Sequence, residues 1–183
     1  GEVMLIGGLD EVGYGALSGP YISVVAVFDQ AGLDRLPYGV TDSKKTTALT
    51  RRRLYEPIMA AATDVGVGHA WPQEIDEHGP YCALHLSYRR ALAELRAFPQ
   101  VLYVDGSHRV HMEGLDRVCH QEVEPKADFK YRQVSAASML AKFFRDTIMD
   151  EYALARRRAG LPDYSWGVNK GYGTSDHIAA IDK

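Results

Sequence analysis

The chain has 183 residues, of which 46% are hydrophobic and 25% charged, and its formal net charge is −3. This is the composition of one globular domain, and it excludes a disordered tail, a fibrous repeat and a globally basic nucleic-acid binder. Any nucleic acid must therefore be held by a local patch. Residues 3–9 (VMLIGGL) read as a strand that ends on Asp10-Glu11. A glycine-rich loop, GYGALSGP, covers residues 13–20. The β-branched run at 21–28 (YISVVAVF) is a second, buried strand, and so short a connection makes the two strands antiparallel neighbours. Residues 32–40 read as a loop, and TDSKK at 41–45 leads into a helix over 46–62 that Pro57 should kink or divide. Alternation over 64–70 predicts a third strand, and three- and four-residue apolar steps predict helix across most of 74–98, stopped by Pro99.

Residues 101–104 (VLYV) are a short strand ending at Asp105-Gly106. The stretch 108–125 is the least regular, with a strand allowed near 116–122. Residues 133–159 read as one long helix or two in series, closed by Gly160 and Pro162, and 166–183 as a glycine-rich turn and a short helix. The alternation of strands and helices predicts a single α/β domain with a mixed sheet. No apolar run approaches the roughly 18 residues of a membrane span. The opening residues lack the basic flank and cleavage site of a signal peptide. Cys82 and Cys119 form no CxxC and no Cys/His ligand spacing, so a reducing, cytoplasmic setting and no zinc site are expected.

The acids are the most informative feature. Asp10-Glu11 and Asp105 end strands, and Asp128 precedes a helix. Ligands of open α/β sheets gather at the carboxyl ends of strands. If the first and fourth strands are adjacent, Asp10 and Asp105 meet. Two carboxylates about 5 Å apart repel by about 3 kcal/mol at an effective dielectric near 20, so such a cluster calls for a partner. Mg²⁺ or Mn²⁺ suits oxygen ligands, and a pair of such ions can flank a phosphodiester. Taken singly, an acid at a strand end is more often a cap or turn residue.

Six ordered segments resemble ribonuclease HII, the type 2 ribonuclease H. They are LDEVGYGALSGP (9–20), TDSKK (41–45), VDG (104–106), KAD (126–128), SAASMLAKFFRD (135–146) and KGYGT (170–174). EIDEHG at 74–79 resembles a further family segment. The resemblance implies a ribonuclease H-like mixed five-stranded sheet flanked by helices, with a helical C-terminal part over about 147–183. It implies cleavage of the RNA strand of RNA/DNA hybrids and cleavage 5′ of ribonucleotides embedded in duplex DNA, leaving 5′-phosphate and 3′-hydroxyl ends. It also implies two Mg²⁺ or Mn²⁺ ions held by Asp10, Glu11, Asp105 and Asp128. Asp10 would bridge both ions, with Asp105 and Glu11 completing one site and Asp128 the other.

Gly13-Tyr14-Gly15 stands where the family has a Gly-Arg-Gly triplet that reads the ribose 2′-hydroxyl, largely through its backbone. Ser43, Lys44 and Lys45 match a phosphate-contacting segment, and Tyr172 matches a tyrosine that packs on the neighbouring sugar. Lys142, Arg145 and Asp146 are expected mainly to hold the structure near the site, and the runs Arg51-Arg52-Arg53 and Arg156-Arg157-Arg158 to be solvated helix faces.

Three departures stand out: Tyr14 for arginine, Asn169 where histidine is expected, and an end at Lys183 without the closing segment that carries sliding-clamp binding in many relatives. A monomer without membrane contact is expected, acting on RNA/DNA hybrid or DNA duplex containing ribonucleotides, and no sliding-clamp motif is seen. Two further readings remain at this point: a hybrid-duplex binding module of the same fold with weak or no cleavage, and a metal-dependent phosphatase on small substrates.

Overall fold

A computed structural model describes residues 3–16, 18–40 and 47–161. Its centre is a five-stranded mixed sheet, ordered β3-β2-β1-β4-β5. β1 (Ile6–Val12) runs antiparallel to β2 (Tyr21–Phe28), and β2 antiparallel to β3 (Asp64–Ala70). On its other side β1 runs parallel to β4 (Val101–Asp105), which is parallel to β5 (His120–Glu124). Every residue of β2 is buried, which is why its sequence is an unbroken apolar run rather than an alternating one.

The helices in chain order are α1 (Gln30–Asp34), α2 (Ala48–Ala61), α3 (Pro72–His78), α4 (Pro80–Ala93), α5 (Leu115–Val118), α6 (Ala127–Lys130) and α7 (Arg132–Arg158). They divide the core in two. On one face Leu9, Val25, Val27, Leu102 and Val104 meet Leu84, Tyr88 and Leu92 of α4. On the other, Ile22, Val24, Ala26 and Phe28 meet Met139 and Leu140 of α7 and Ile58 of α2.

Several expectations shift. The first strand begins later and runs further, so Asp10 and Glu11 lie inside it and their side chains take opposite faces. α2 is one helix despite Pro57. The helix expected over 74–98 is two. Gly79, at φ 85°, takes a conformation that L side chains rarely adopt, and Pro80 opens α4, where its missing N–H costs nothing. The strand allowed near 116–122 starts only at His120, after the short α5. α1 lies in part of the region read as loop. The expected long helix is the single α7, while the segment 166–183 lies outside the described residues.

Glycines in the strands set how closely the helices approach. A Cβ on Gly8 would lie 2.3 Å from the backbone of Gln133 in α7. On the opposite face a Cβ on Gly68 would lie 2.0 Å from the Ser87 carbonyl oxygen of α4. In both places helix backbone occupies the space a side chain would take. Gly8→Ala should therefore lower stability by about 1–3 kcal/mol through overpacking, measured by urea unfolding. Tyr38→Ala, at a fully exposed side chain, should change it by less than about 0.5 kcal/mol.

Candidate active site

β1 and β4 are parallel, with Leu9 paired to Val104, so the next residues, Asp10 and Asp105, stand side by side at the carboxyl end of the sheet. Asp128 reaches them from the first turn of α6. One carboxylate oxygen from each of Asp10, Asp105 and Asp128 lies within 4.8 Å of the other two. Asp10 is buried, and Asp128 is only 2% exposed.

The surrounding backbone orients these groups. Asp10 Oδ1 accepts the Glu11 N–H at 2.8 Å, and the Ser138 hydroxyl of α7 also hydrogen-bonds Asp10. Asp105 Oδ1 accepts the Ala127 N–H at 3.1 Å, so one acid of the cluster anchors the helix that carries another. The chain enters α6 through Lys126 in a left-handed conformation, φ 59°. The Ser135 hydroxyl donates to the Asp128 carbonyl, tying α6 to the first turns of α7. Asp128 Oδ1 is buried, with no hydrogen-bond partner among the described residues. A buried carboxylate with an unsatisfied oxygen, in a residue clustered with two further carboxylates, fits a hard cation ligated by oxygen.

The electrostatics agree with that fit. Burial raises the Asp10 carboxyl well above its usual range, and the charges of Asp105 and Glu11 raise it further, against the lowering effects of the Glu11 N–H and Ser138. Glu11 stands apart from the three-acid set, and its Oε2 accepts the Tyr14 N–H at 3.1 Å. Burial pushes its carboxyl up to about 7; Asp105 adds to the rise, while the Tyr14 N–H and the Arg145 cation oppose it. Tyr88 of α4 faces the same field. Its phenol is raised by burial and then by the charges of Glu11, Asp10 and Asp105.

The glycine-rich loop is held from below. Gly13, Gly15 and Gly19 all have positive φ, at 106°, 89° and 91°. Arg145, 1% exposed, donates from Nε to the Pro20 carbonyl at 3.1 Å and from Nη2 to the Ser18 carbonyl at 3.0 Å. A Cβ on Gly13 would lie 2.6 Å from the Pro20 oxygen and 3.0 Å from Arg145 Nε. Tyr14 is 44% exposed, and its ring meets Tyr21 edge-on at 5.7 Å between centroids.

Asp10, Glu11, Asp105, Asp128, Gly13, Tyr14 and Gly15 thus surround one end of the sheet. Ser43, Lys44, Lys45, Asn169 and Tyr172 lie outside the described residues. Arg51 is not a solvated member of its basic run, because its Nη2 pairs with Asp146 at 2.7 Å and joins α2 to α7. Sequence alone assigns no role to Ser138 or Tyr88. Ser138 was visible as the second serine of SAAS, three residues after Ser135 and so on the same helix face. Tyr88 carried no signal beyond an apolar helix position.

Comparison with known proteins places this geometry. The family model for ribonuclease HII matches residues 7–183. A ribonuclease HII from Roseobacter denitrificans is 38% identical over 96% of this chain and 82% of its own length. One from Clostridioides difficile is 37% identical over 98% of this chain and 66% of its own length, so the chain spans just under two thirds of that relative. The crystal structure of ribonuclease H2 from Pyrococcus horikoshii superposes with a TM-score of 0.75 at 30% identity, covering 96% of this chain and 83% of that one. With its acids at the carboxyl ends of β1 and β4 and the match running almost end to end, the chain belongs to the ribonuclease HII family of type 2 ribonuclease H endonucleases.

Proposed function

We propose that this protein cuts the RNA strand of RNA/DNA hybrids and cuts 5′ of ribonucleotides embedded in duplex DNA, leaving 5′-phosphate and 3′-hydroxyl ends. The observation that carries the reading is the convergence of Asp10, Asp105 and Asp128, with Asp128 Oδ1 buried and without a hydrogen-bond partner among the described residues. In this reading those three acids and Glu11 hold two Mg²⁺ or Mn²⁺ ions. Such ions supply positive charge against a phosphodiester, where hydrolysis builds negative charge. The protein's part is positioning: β1 and β4 set Asp10 beside Asp105, the Ala127 N–H fixes Asp105, and Ser138 fixes Asp10. Gly13 and Gly15 keep backbone groups open to a ribose, and Lys44 and Lys45 carry charge for the phosphate track.

A hybrid-duplex binding module of the same fold with weak or no cleavage is the second reading, favoured by Tyr14 in place of arginine. Cleavage accounts better for the acids. Burying mutually repelling carboxylates is costly, and a grip on phosphates would be stronger without them. The deciding assay incubates the protein and Mg²⁺ or Mn²⁺ with an RNA/DNA hybrid, a DNA duplex carrying one ribonucleotide, and an all-DNA duplex. Cutting of the first two alone supports the proposal; binding without cutting supports the module.

Asp10→Asn should reduce cleavage by about a thousandfold or more, as expected for loss of an electrostatic group acting on the transition state, while hybrid affinity measured by fluorescence anisotropy stays largely unchanged. Tyr14→Arg should raise cleavage by restoring a cation at the loop, and an unchanged rate would show that position 14 does not limit it. In the metal-free protein, Glu11 has a folded-state pKa of about 7 against an ordinary value of 4.5. The folded state then binds more protons than the unfolded state between those values, so stability falls as pH rises from 4.5 to 7. Thermal melts should show that loss, and saturating Mn²⁺ at pH above 7 should reverse it by binding the folded state. A melting temperature that rises with pH across this window would contradict the electrostatic account.

A further inference from the structure

The carboxyl edge of the sheet carries more than the acids. β3 is antiparallel to β2 and β2 to β1, so β3 ends at the same edge as β1 and β4. β4 delivers Asp105 there, β1 delivers Asp10, Glu11 and then Tyr14, and β3 delivers Trp71. Tyr21 pairs with Ala70, so Trp71 comes next to Pro20 at the end of the glycine-rich loop. Trp71 and Pro20 line one cavity of about 210 Å³. A second, of about 230 Å³, lies between that loop and α3, lined by Ser18, Gly19, Tyr21, Pro72 and Ile75.

Trp71 is 43% exposed, much as Tyr14 is at 44%. Each of these rings rests on another aromatic ring. Tyr14 stands edge-on against Tyr21, and Trp71 stacks on His69 at 5.1 Å between centroids with 6° between the planes. The backbone under Trp71 is clamped. Its N–H donates to Glu74 Oε1 at 3.1 Å, and Arg90 grips both oxygens of Glu74 at 2.7 Å. Arg90 also donates to the His69 carbonyl at 2.8 Å. An indole held in place before a ligand arrives loses little freedom on contact, so its apolar surface is well used in binding.

We propose that Trp71 extends the substrate surface: its indole packs on a backbone sugar of the duplex, along the same edge as Tyr14 and the acids. This rests on the reading that the chain cuts ribonucleotide-containing duplexes. Ligands of open α/β sheets gather at the carboxyl ends of strands, and this edge gathers three of them. β3 lies two strands from β1, about 10 Å at the usual strand spacing. That is the rise of about three base pairs at about 3.4 Å each, which sets the distance of the contact from the cleavage point. The contact is with a sugar rather than a phosphate, because Asp76 lines the neighbouring cavity and Arg90 is committed to Glu74. Paired bases keep their faces inside the stack, so a sugar is the ring that a duplex presents.

The test is binding of the full chain to a fluorescein-labelled RNA/DNA hybrid, in EDTA so that nothing is cut, followed by fluorescence anisotropy. The unaltered chain is compared with Trp71→Ala and Trp71→Phe, and circular dichroism checks that each is folded. Trp71→Ala should weaken binding by about fivefold or more, and Trp71→Phe should keep most of the affinity. The slope of log affinity against log salt should be the same in all three, because the lost contact carries no charge. With Mg²⁺ or Mn²⁺ present, KM for the hybrid should rise by the same factor in Trp71→Ala while kcat holds. Tryptophan emission of the unaltered chain should be quenched by unlabelled hybrid, and less so in Trp71→Phe. Equal affinity in the unaltered chain and Trp71→Ala, a fall in kcat with affinity unchanged, or no binding by the unaltered chain would overturn the proposal. So would a Trp71→Ala variant that binds equally but loses a dimer on size-exclusion chromatography, which would assign the indole to a second copy of the chain. Binding that weakens as expected in a chain that cuts nothing would keep the contact and remove the cleavage reading. Cleavage by a chain whose Trp71→Ala variant binds as tightly would remove the contact alone.

Discussion

The constraint on which this structure turns is the repulsion among carboxylates that the fold itself forces together. Asp10 and Asp105 are neighbours because β1 and β4 are parallel and in register, and Asp128 joins them because α6 starts on the Asp105 carboxylate. Burial makes the arrangement costlier, and the cost shows in the raised carboxyls of Asp10 and Glu11. Such strain persists only where surrounding structure over-determines it. Here the determinants are the sheet register, the Ala127 N–H and α7.

The close approach of α7 connects packing to chemistry. Gly8 admits the helix backbone at Gln133. Two residues on along the same strand face lies Asp10, about 6.6 Å further at the usual strand rise. Five residues on along α7 lies Ser138, about 7.5 Å further at the helical rise. The two advances nearly match, so a helix seated at Gly8 delivers the Ser138 hydroxyl to Asp10. A side chain at position 8 would lift the helix and withdraw that hydrogen bond. About two turns beyond Ser138, the same helix sends Arg145 under the glycine-rich loop, where it binds the Pro20 and Ser18 carbonyls. A single long helix thus positions both a carboxylate of the cluster and the loop beside it.

Much of this could be read from the sequence. The fold class followed from the order of periodic segments. Asp10-Glu11 stands out because two adjacent acids after an apolar run have no obvious packing role, whereas Asp105 and Asp128, which singly read as cap or turn residues, gain weight only from the VDG and KAD segments of the family resemblance. The division at Gly79-Pro80 is a difference from the single helix expected over 74–98: the three- and four-residue apolar steps run through α4, while Gly79 ends α3 and Pro80 opens α4. Other features needed three dimensions. Glu11 follows Asp10 directly, yet strand alternation turns it to the other face and out of the tight cluster. Arg51 lies in a run of three arginines that reads as solvent-facing, and only the packing of α2 on α7 gives it Asp146.

Charge distribution explains how such a site could coexist with a polyanionic substrate. The chain is net negative, and two of its buried charges, Asp10 and Asp128, are acids at the mouth where a phosphodiester would react under the proposed reading. Without cations that mouth repels nucleic acid, so affinity has to come from elsewhere on the surface. Groove-tracking contacts made by lysine to phosphates distant from the cleavage point can do this, since they position a duplex without reading or cutting it. Under the proposed reading, gripping and cutting are therefore separate electrostatic tasks carried by separate residues. Replacing arginine with Tyr14 at the boundary between them removes a fixed positive charge where the two tasks meet. It leaves the glycine backbone on either side free to approach a sugar, and it offers an exposed aromatic face in place of the guanidinium.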